Sequence, residues 1–311
     1  MAETTQLSRR TLIALGATYP VIRSAQAASI KVIDTHQHLW DRSILQLNWI
    51  TKGSVLDRNY LTDDYLKATD GIPIYQAVYM EVDATPSQHK TEADYITTLC
   101  QNQNSPTKAA IISGRPDSPT FNQYLDQFRE NPYIKGLRQV LHGQGTPAGH
   151  STRPAFVSGI RELGKRRLSF DLCLRESDLN DGVELARKCP ETQFILDHCG
   201  NPNVRLKPSY SWQRSIEDLA KQQNVTAKIS GIIAGADPKK NYEEQLAPFV
   251  NHVWDSFGPD RVVFGGDWPV CLLGGQYADW YGTLKKIAES RPQAEREKLF
   301  YSNALRIYRL T

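Results

Sequence analysis

Short runs of β-branched and apolar residues recur along the chain, and each is followed by a turn and then by a segment with helical periodicity. The runs predict eight strands, at residues 30–34, 76–82, 109–113, 134–140, 168–174, 193–197, 226–230 and 261–265. The segments between them predict helices, at residues 91–101, 120–130, 154–165, 177–188, 212–222, 243–257 and 277–287. Because strands that alternate with helices pair in parallel through right-handed crossovers, eight such units predict an α/β fold, the (β/α)8 TIM barrel.

This pattern runs without a low-complexity linker or an internal repeat, so residues 29–311 are expected to form one barrel domain. Two connecting segments, residues 39–70 and 141–153, are longer than ordinary loops. We expect both of them to fold over the barrel mouth.

The first 28 residues differ from the rest. Arg9 and Arg10 precede a mildly apolar stretch, and Ala25-Gln26-Ala27 follows it as a small-x-small cleavage pattern. This order is typical of a bacterial export signal, and the paired arginines indicate the twin-arginine route. The apolar stretch is too short for a stable membrane anchor. Residues 1–28 are therefore predicted to be a signal peptide, and the protein is predicted to be periplasmic.

Hydrophobic residues make up 40% of the chain and charged residues 23%, which is typical of a globular protein. The net charge of +3 comes from scattered Lys and Arg, which argues against nucleic acid or a membrane as a partner. A small-molecule substrate is the expected partner, and a homo-oligomer remains open. The five cysteines have no Cys-x-x-Cys spacing, so they do not indicate a disulfide framework or a zinc ribbon.

Two histidines, His36 and His38, stand one residue apart where the first strand ends. Side chains on a strand alternate between its faces, so both imidazoles point the same way. On a helix they would lie about 200° apart and would not share a ligand. The spacing is that of a metal site or a catalytic pair, although two solvated histidines at a polar strand end would give the same pattern.

Polar residues also follow other predicted strands, at the end of the barrel where function is located. They are Glu81 at strand 2, Arg138 and His142 at strand 4, His198 at strand 6, and Asp267 with Trp268 at strand 8. Three histidines and one aspartate, from strands 1, 6 and 8, are therefore expected to meet at one mouth.

Three motifs in order carry a resemblance to a known family. They are Asp34-x-His36-x-His38, the segment Leu-Asp-His-Cys-Gly-Asn-Pro ending at Pro202, and Gly-Gly-Asp-Trp-Pro ending at Pro269. Together they resemble the amidohydrolase superfamily, and within it the lactonase-type branch of sugar-lactone and dicarboxylate-lactone hydrolases. The resemblance extends from Val32 to Leu310.

The resemblance implies a role for each matching residue. His36 and His38 match a pair that binds a divalent metal in this superfamily. Asp267 matches the aspartate that takes a proton from the attacking water, and His198 matches the histidine that polarises the scissile carbonyl. Arg138 resembles a residue that binds a carboxylate or hydroxyl group of the substrate. Glu81, His142 and Trp268 are further candidates for substrate binding. Trp40, Trp49 and Tyr79 are expected to join Trp268 in a wall that stacks on a sugar.

The metal shell departs from the family pattern, because strand 5 at residues 169–174 contains no histidine. His36, His38 and Asp267 would supply the three protein ligands of a catalytic Zn²⁺ site. The branch also includes lactone hydrolases that work without a metal, so both routes remain open.

The resemblance implies a carboxylic ester hydrolase that opens the lactone of a sugar acid or a dicarboxylic acid. A lactone has an alkoxide leaving group, so a general base and imidazole donors suffice for its hydrolysis. Hydrolysis of an amide would require a Lewis acid. One alternative is a metal-dependent decarboxylase of an aromatic or muconate-type acid, which would normally carry the missing strand-5 histidine. A second alternative is a non-enzymatic barrel that serves as a periplasmic binding or scaffold protein. Such a protein would be expected to lack Asp267 or His198, but both are present.

Overall fold

A computed structural model describes residues 1–2, 30–143 and 145–310. Eight parallel strands pair in chain order in one sheet. They are β1 Val32–Gln37, β2 Ile74–Met80, β3 Thr107–Ser113, β4 Ile134–Val140, β5 Ser169–Cys173, β6 Phe194–Leu196, β7 Val225–Ile229 and β8 Val262–Phe264. The predicted (β/α)8 barrel is therefore confirmed.

The barrel closes where β1 meets the segment after β8. The Asp267 backbone N–H donates to the His36 carbonyl over 2.7 Å, and the His38 N–H donates to the Trp268 carbonyl over 2.8 Å. These two hydrogen bonds fix the first strand against the residues that follow the last one. The motif residues of strands 1 and 8 are thereby brought side by side.

Ten helices are found in the described part of the chain. They are α1 Thr62–Ala68, α2 His89–Gln101, α3 Phe121–Asp126, α4 Pro154–Lys165, α5 Leu179–Lys188, α6 Tyr210–Ala220, α7 Tyr242–Phe257, α8 Tyr277–Ala288, α9 Gln293–Glu297 and α10 Asn303–Tyr308. Helix α4 begins with a proline, which is favoured at the first helical position. Helix α7 is capped by Asn241, whose side chain accepts the Glu243 N–H over 2.8 Å. The apolar face of α4, with Phe156, Ile160 and Leu163, is buried.

The structure differs locally from the sequence predictions, in the bounds of most strands and in helices α1 and α9, which were not predicted. Strand β1 extends to Gln37 rather than ending at residue 34, so His36 lies inside the strand. Helix α1 lies within segment 39–70, for which no helix was predicted, because its seven residues are too few for a clear periodic pattern. The predicted signal peptide, apart from residues 1–2, lies outside the described residues.

None of the helices within the described ranges combines the length and the apolar character needed to cross a membrane. All five cysteines of the sequence fall in those ranges, and each is buried with a free thiol.

The barrel interior holds two buried cations. The Lys228 ammonium lies 2.7 Å from Asp171 and 2.9 Å from Asp197, and all three side chains are fully buried. The Arg138 guanidinium lies 2.6 Å from Glu81 and 3.1 Å from the second oxygen of Asp197. Burial alone would raise the pKa of Asp197, but the Lys228 charge holds that pKa well below its usual range.

We predict that Lys228→Met destabilises the protein by about 3–5 kcal/mol, because it leaves Asp171 and Asp197 buried with less compensating charge. The free energy of unfolding in urea measures this change. Lys221→Met is the matched control, since that lysine pairs with Asp218 and its side chain is 64% exposed. The control should change stability by no more than about 0.5 kcal/mol. Equal effects of the two substitutions would contradict a dependence of the fold on the buried cation.

Candidate active site

A cavity of about 380 Å³ opens at the carboxyl ends of the strands, within the size range of small-molecule sites. Five of the predicted site residues line it, namely His38, Arg138, His142, His198 and Asp267. Both long segments that were expected over the mouth contribute to the lining, through Trp49 and through His142.

His36 and His38 both approach the Asp267 carboxylate. Their Nε2 atoms lie 3.5 Å and 3.3 Å from Asp267 Oδ1, and their ring centroids are 4.9 Å apart. The second nitrogen of His38, Nδ1, lies 3.0 Å from the Met80 carbonyl. Because a carbonyl only accepts, Nδ1 carries the proton of this hydrogen bond, and Nε2 is the ring nitrogen that faces Asp267.

His36 lies beneath the cavity and is fully buried. Its Nδ1 is 3.3 Å from the Lys228 ammonium, and its Nε2 is 3.2 Å from Arg138 Nη1. Burial, together with the nearby Lys228 charge, lowers the pKa of His36 well below its ordinary value. His36 is therefore a neutral imidazole at neutral pH, and it supports the cavity floor.

The residues that directly follow β7 hold the His198 ring in place. Its Nδ1 lies 3.0 Å from the Ser230 hydroxyl, and Gly231 packs directly against the ring. Desolvation lowers the pKa of His198 below its ordinary value, so this imidazole is also neutral at neutral pH.

Four residues of the cavity wall other than glycine have left-handed backbone conformations. The φ angles of Asp83, His198, Asn201 and Asp267 are 48°, 51°, 53° and 55°. Such conformations are unfavourable for residues other than glycine, and they concentrate at functional sites. Here they turn the side chains that follow β2, β6 and β8 towards the same space.

Asp34 organises the junction between the first and last strands. It accepts hydrogen bonds from the backbone N–H groups of His36 and Gly266 and from the hydroxyls of Tyr65 and Tyr277. Since this buried carboxylate holds the residue that directly precedes Asp267, it sets the position of the Asp267 loop.

Two of the expected substrate-binding roles need correction. Glu81 is fully buried and accepts hydrogen bonds from Arg138 and Ser113, because its side chain turns into the barrel rather than to the mouth. Arg138 reaches the cavity, but its Nε and Nη2 donate to Glu81 and its Nη1 donates to Asp197. Its guanidinium is therefore not free to bind a substrate carboxylate through two parallel hydrogen bonds.

The expected aromatic wall also needs correction. Trp268 is 1% exposed and packs edge-on against Tyr60 and Tyr65, while Trp40 and Tyr79 are fully buried. Trp49 alone among the four predicted aromatic residues lines the cavity. The residue that follows Asp267 therefore belongs to the core.

Sequence reasoning missed Lys228, Asp171 and Asp197 as parts of the site. The signal was present, because Lys228 stands between Ala227 and Ile229 in an apolar strand, and Asp171 stands between Phe170 and Leu172. A charge inside an otherwise apolar strand is rarely buried without a partner. Two such strands in one barrel indicate an internal ion pair.

The donors for a metal ion are present, with one change from the predicted set. His36, His198 and Asp267 each offer a ligand atom within 4.8 Å of the others, so His198 stands where His38 was expected. Two imidazoles and a carboxylate fit Zn²⁺ by type and number. An ion there would compete with Arg138 Nη1 for the Nε2 lone pair of His36.

We predict that Gly231→Ala destabilises the protein by about 2–4 kcal/mol, because an added methyl group would overlap the His198 ring at a φ angle of +67°. Gly53→Ala is the control, since Gly53 has a φ angle of +77° with no atom near the added methyl group. The Gly53→Ala substitution should lower the free energy of unfolding by only about 1 kcal/mol, the cost of backbone strain. Urea unfolding of both variants measures the difference, and equal losses would show that Gly231 does not position His198.

A family model, curated proteins and solved structures resemble this chain over most of its length. The model of the Amidohydrolase family matches residues 33–310. L-fucono-1,5-lactonase of Burkholderia multivorans is 26% identical over 291 residues, covering 89% of this chain and 96% of that protein. L-rhamnono-gamma-lactonase of Scheffersomyces stipitis is 23% identical and covers 90% of this chain and 99% of that protein.

A solved structure of an amidohydrolase from Burkholderia multivorans with bound zinc superposes with a TM-score of 0.80. It is 25% identical and covers 90% of this chain and 100% of that one. The family model, which spans most of the chain, leads to one conclusion: the chain belongs to the amidohydrolase family.

Proposed function

We propose that this protein is a carboxylic ester hydrolase that opens a lactone. The observation that carries the proposal is the grouping of His38, His198 and Asp267 around one cavity at the barrel mouth. Two similar proteins named as lactonases support it. Lactones of sugar acids and of dicarboxylic acids are the first substrate classes to consider.

Asp267 is the general base in this proposal. Its carboxylate faces the cavity and has His38 Nε2 at 3.3 Å. A water molecule in the cavity, within hydrogen-bond distance of the Asp267 carboxylate, would give a proton to Asp267. The resulting hydroxide attacks the lactone carbonyl carbon.

His198 stabilises the oxyanion that forms. When the Ser230 hydroxyl donates to Nδ1, the neutral ring carries its proton on Nε2 and donates that proton towards the cavity. A neutral imidazole held before the reaction begins needs no reorganisation as the carbonyl oxygen gains charge. The lowered pKa of His198 keeps it in this form at neutral pH.

Collapse of the tetrahedral intermediate breaks the ring carbon–oxygen bond. The proton held by Asp267 passes to the leaving alkoxide, which becomes the hydroxyl of the product, and Asp267 returns to its ionised form. The product is one hydroxy acid, which carries a new hydroxyl group and a new carboxyl group, and water is the only co-reactant.

If Zn²⁺ is bound, His36, His198 and Asp267 would hold it, and it would supply Lewis acid stabilisation and a more acidic water. The residues above hold their positions through protein contacts alone. His36 keeps Arg138 and Lys228 as neighbours, and His38 keeps its hydrogen bond to Met80.

We predict that Asp267→Asn lowers kcat for lactone hydrolysis by about 10²–10⁴-fold, the range typical of a lost general base. Proton release in a weakly buffered assay measures the rate. Asp218→Asn, on the surface of α6, is the control and should retain full activity. An Asp267→Asn variant with unchanged kcat would refute the proposed base.

We expect hydrolysis to survive removal of metal, with a loss of less than about tenfold, because the base and the carbonyl donor are side chains held by the protein. The protein is dialysed against a chelator, its zinc content is measured, and the lactone assay is repeated. Complete loss of activity that zinc alone restores would contradict this expectation.

A further inference from the structure

Much of the cavity wall is apolar. Seven apolar lining residues lie at the ends of strands or in the segments that follow them. They are Trp49, Val82, Val140, Pro202, Ile232, Ala234 and Val270. The one polar atom of the Trp49 ring, Nε1, donates to the Val82 carbonyl over 2.7 Å. The indole therefore offers only its ring surface to a ligand.

The arginines around the mouth are bound to the protein. Arg175 donates to the carbonyls of Gly143 and Thr146, and Arg205 donates to the carbonyls of Gly235 and Ala236. Arg115 lies 3.3 Å from Asp83. Because their donors hold the loops that line the cavity, these side chains shape the wall and do not face a ligand.

Among the lining residues that the structure describes, Arg138 is the sole Lys or Arg. Its guanidinium lies between Glu81 and Asp197, as described above. Two carboxylates also line the cavity, namely Asp83, which pairs with Arg115, and Asp267. An anionic substituent would meet the Asp267 carboxylate without a free cation to balance its charge, which is unfavourable in a partly buried site.

Besides His38, His198 and Asp267, the polar side chains of the described lining are those of Asp83, Arg138, His142 and Asn201. Asp83 and Arg138 pair with other groups of the protein, and Asn201 donates an amide N–H to the Leu174 carbonyl. A hydroxyl buried against valine and isoleucine side chains loses its hydrogen bonds to water without replacement.

From this lining we infer that the substrate is an uncharged lactone that carries an apolar substituent, such as an alkyl chain. The ring carbonyl lies at His198 and Asp267, and the substituent packs against the wall of Trp49, Val140 and Ile232. This inference rests on the proposed lactonase function, and it replaces the lactones of sugar acids and dicarboxylic acids, which that proposal considers first, with a more apolar substrate class. Ring opening creates a carboxylate beside Asp267, and the repulsion between the two carboxylates favours release of the product.

A homologous substrate series tests the inference. The rate constant kcat/KM is measured for γ-butyrolactone and its γ-alkyl homologues from methyl to pentyl, together with a polyhydroxylated aldonolactone and a lactone dicarboxylate. Burial of one methylene group corresponds to a factor of about four, so kcat/KM should rise about fourfold per carbon until the cavity is filled. The aldonolactone and the dicarboxylate should be poorer substrates than the longer alkyl lactones.

A kcat/KM that does not change with chain length, or a preference for the aldonolactone or the dicarboxylate, would overturn the inference and leave the lactonase proposal standing. No hydrolysis of any lactone would overturn the lactonase proposal and this inference with it. The two failures are therefore distinguishable in one set of assays.

A matched pair of variants locates the effect in the wall. Val140→Thr keeps the shape of the side chain and adds a hydroxyl, and it should lower the ratio of kcat/KM for the pentyl to the methyl lactone by about threefold or more, through KM. Val55→Thr, at a position that is 47% exposed, should leave that ratio unchanged. An unchanged ratio in both variants, with folding verified by circular dichroism, would contradict the packing of the substituent on Val140.

Discussion

Asp197 divides its two carboxylate oxygens between two buried cations, and the geometry of the mouth depends on this arrangement. Lys228 lies 2.9 Å from one oxygen and Arg138 lies 3.1 Å from the other. Charges of this kind are stable inside a protein only when they are paired with good geometry. The same two cations contact the two ring nitrogens of His36, so the network that balances the buried charges also fixes the floor of the site.

The charges of the site are arranged in layers. The ion pairs lie within the barrel, the neutral imidazoles and Asp267 lie above them, and the apolar wall surrounds the remaining space. Because Arg138 is engaged below, the cavity presents a base and hydrogen-bonding rings but no free cation among its described lining residues. Such a cavity is suited to the attack of water on an uncharged ester, because the ester carbonyl oxygen gains negative charge only as the reaction proceeds.

Much of this site follows from the sequence, since the alternation of strands and helices predicts the barrel, and the barrel places His38, His198 and Asp267 at one mouth. The direction of individual side chains was harder to predict. Glu81 and Trp268 stand at strand ends, yet both turn into the interior, because the local backbone after β2 and β8 decides which way they face. Lys228 was missed because its partners come from two other strands, a pairing that linear spacing does not reveal.

The most direct test of the account is a single turnover of lactone by excess enzyme in water enriched in ¹⁸O. If Asp267 acts as a base, water attacks the carbonyl itself, so the first product carries ¹⁸O in its carboxyl group and Asp267 remains unlabelled. Mass spectrometry of the product and of the peptide that contains Asp267 measures both. A first product without ¹⁸O, together with label in the Asp267 side chain, would mean that Asp267 attacks the lactone as a nucleophile, and the account would be wrong.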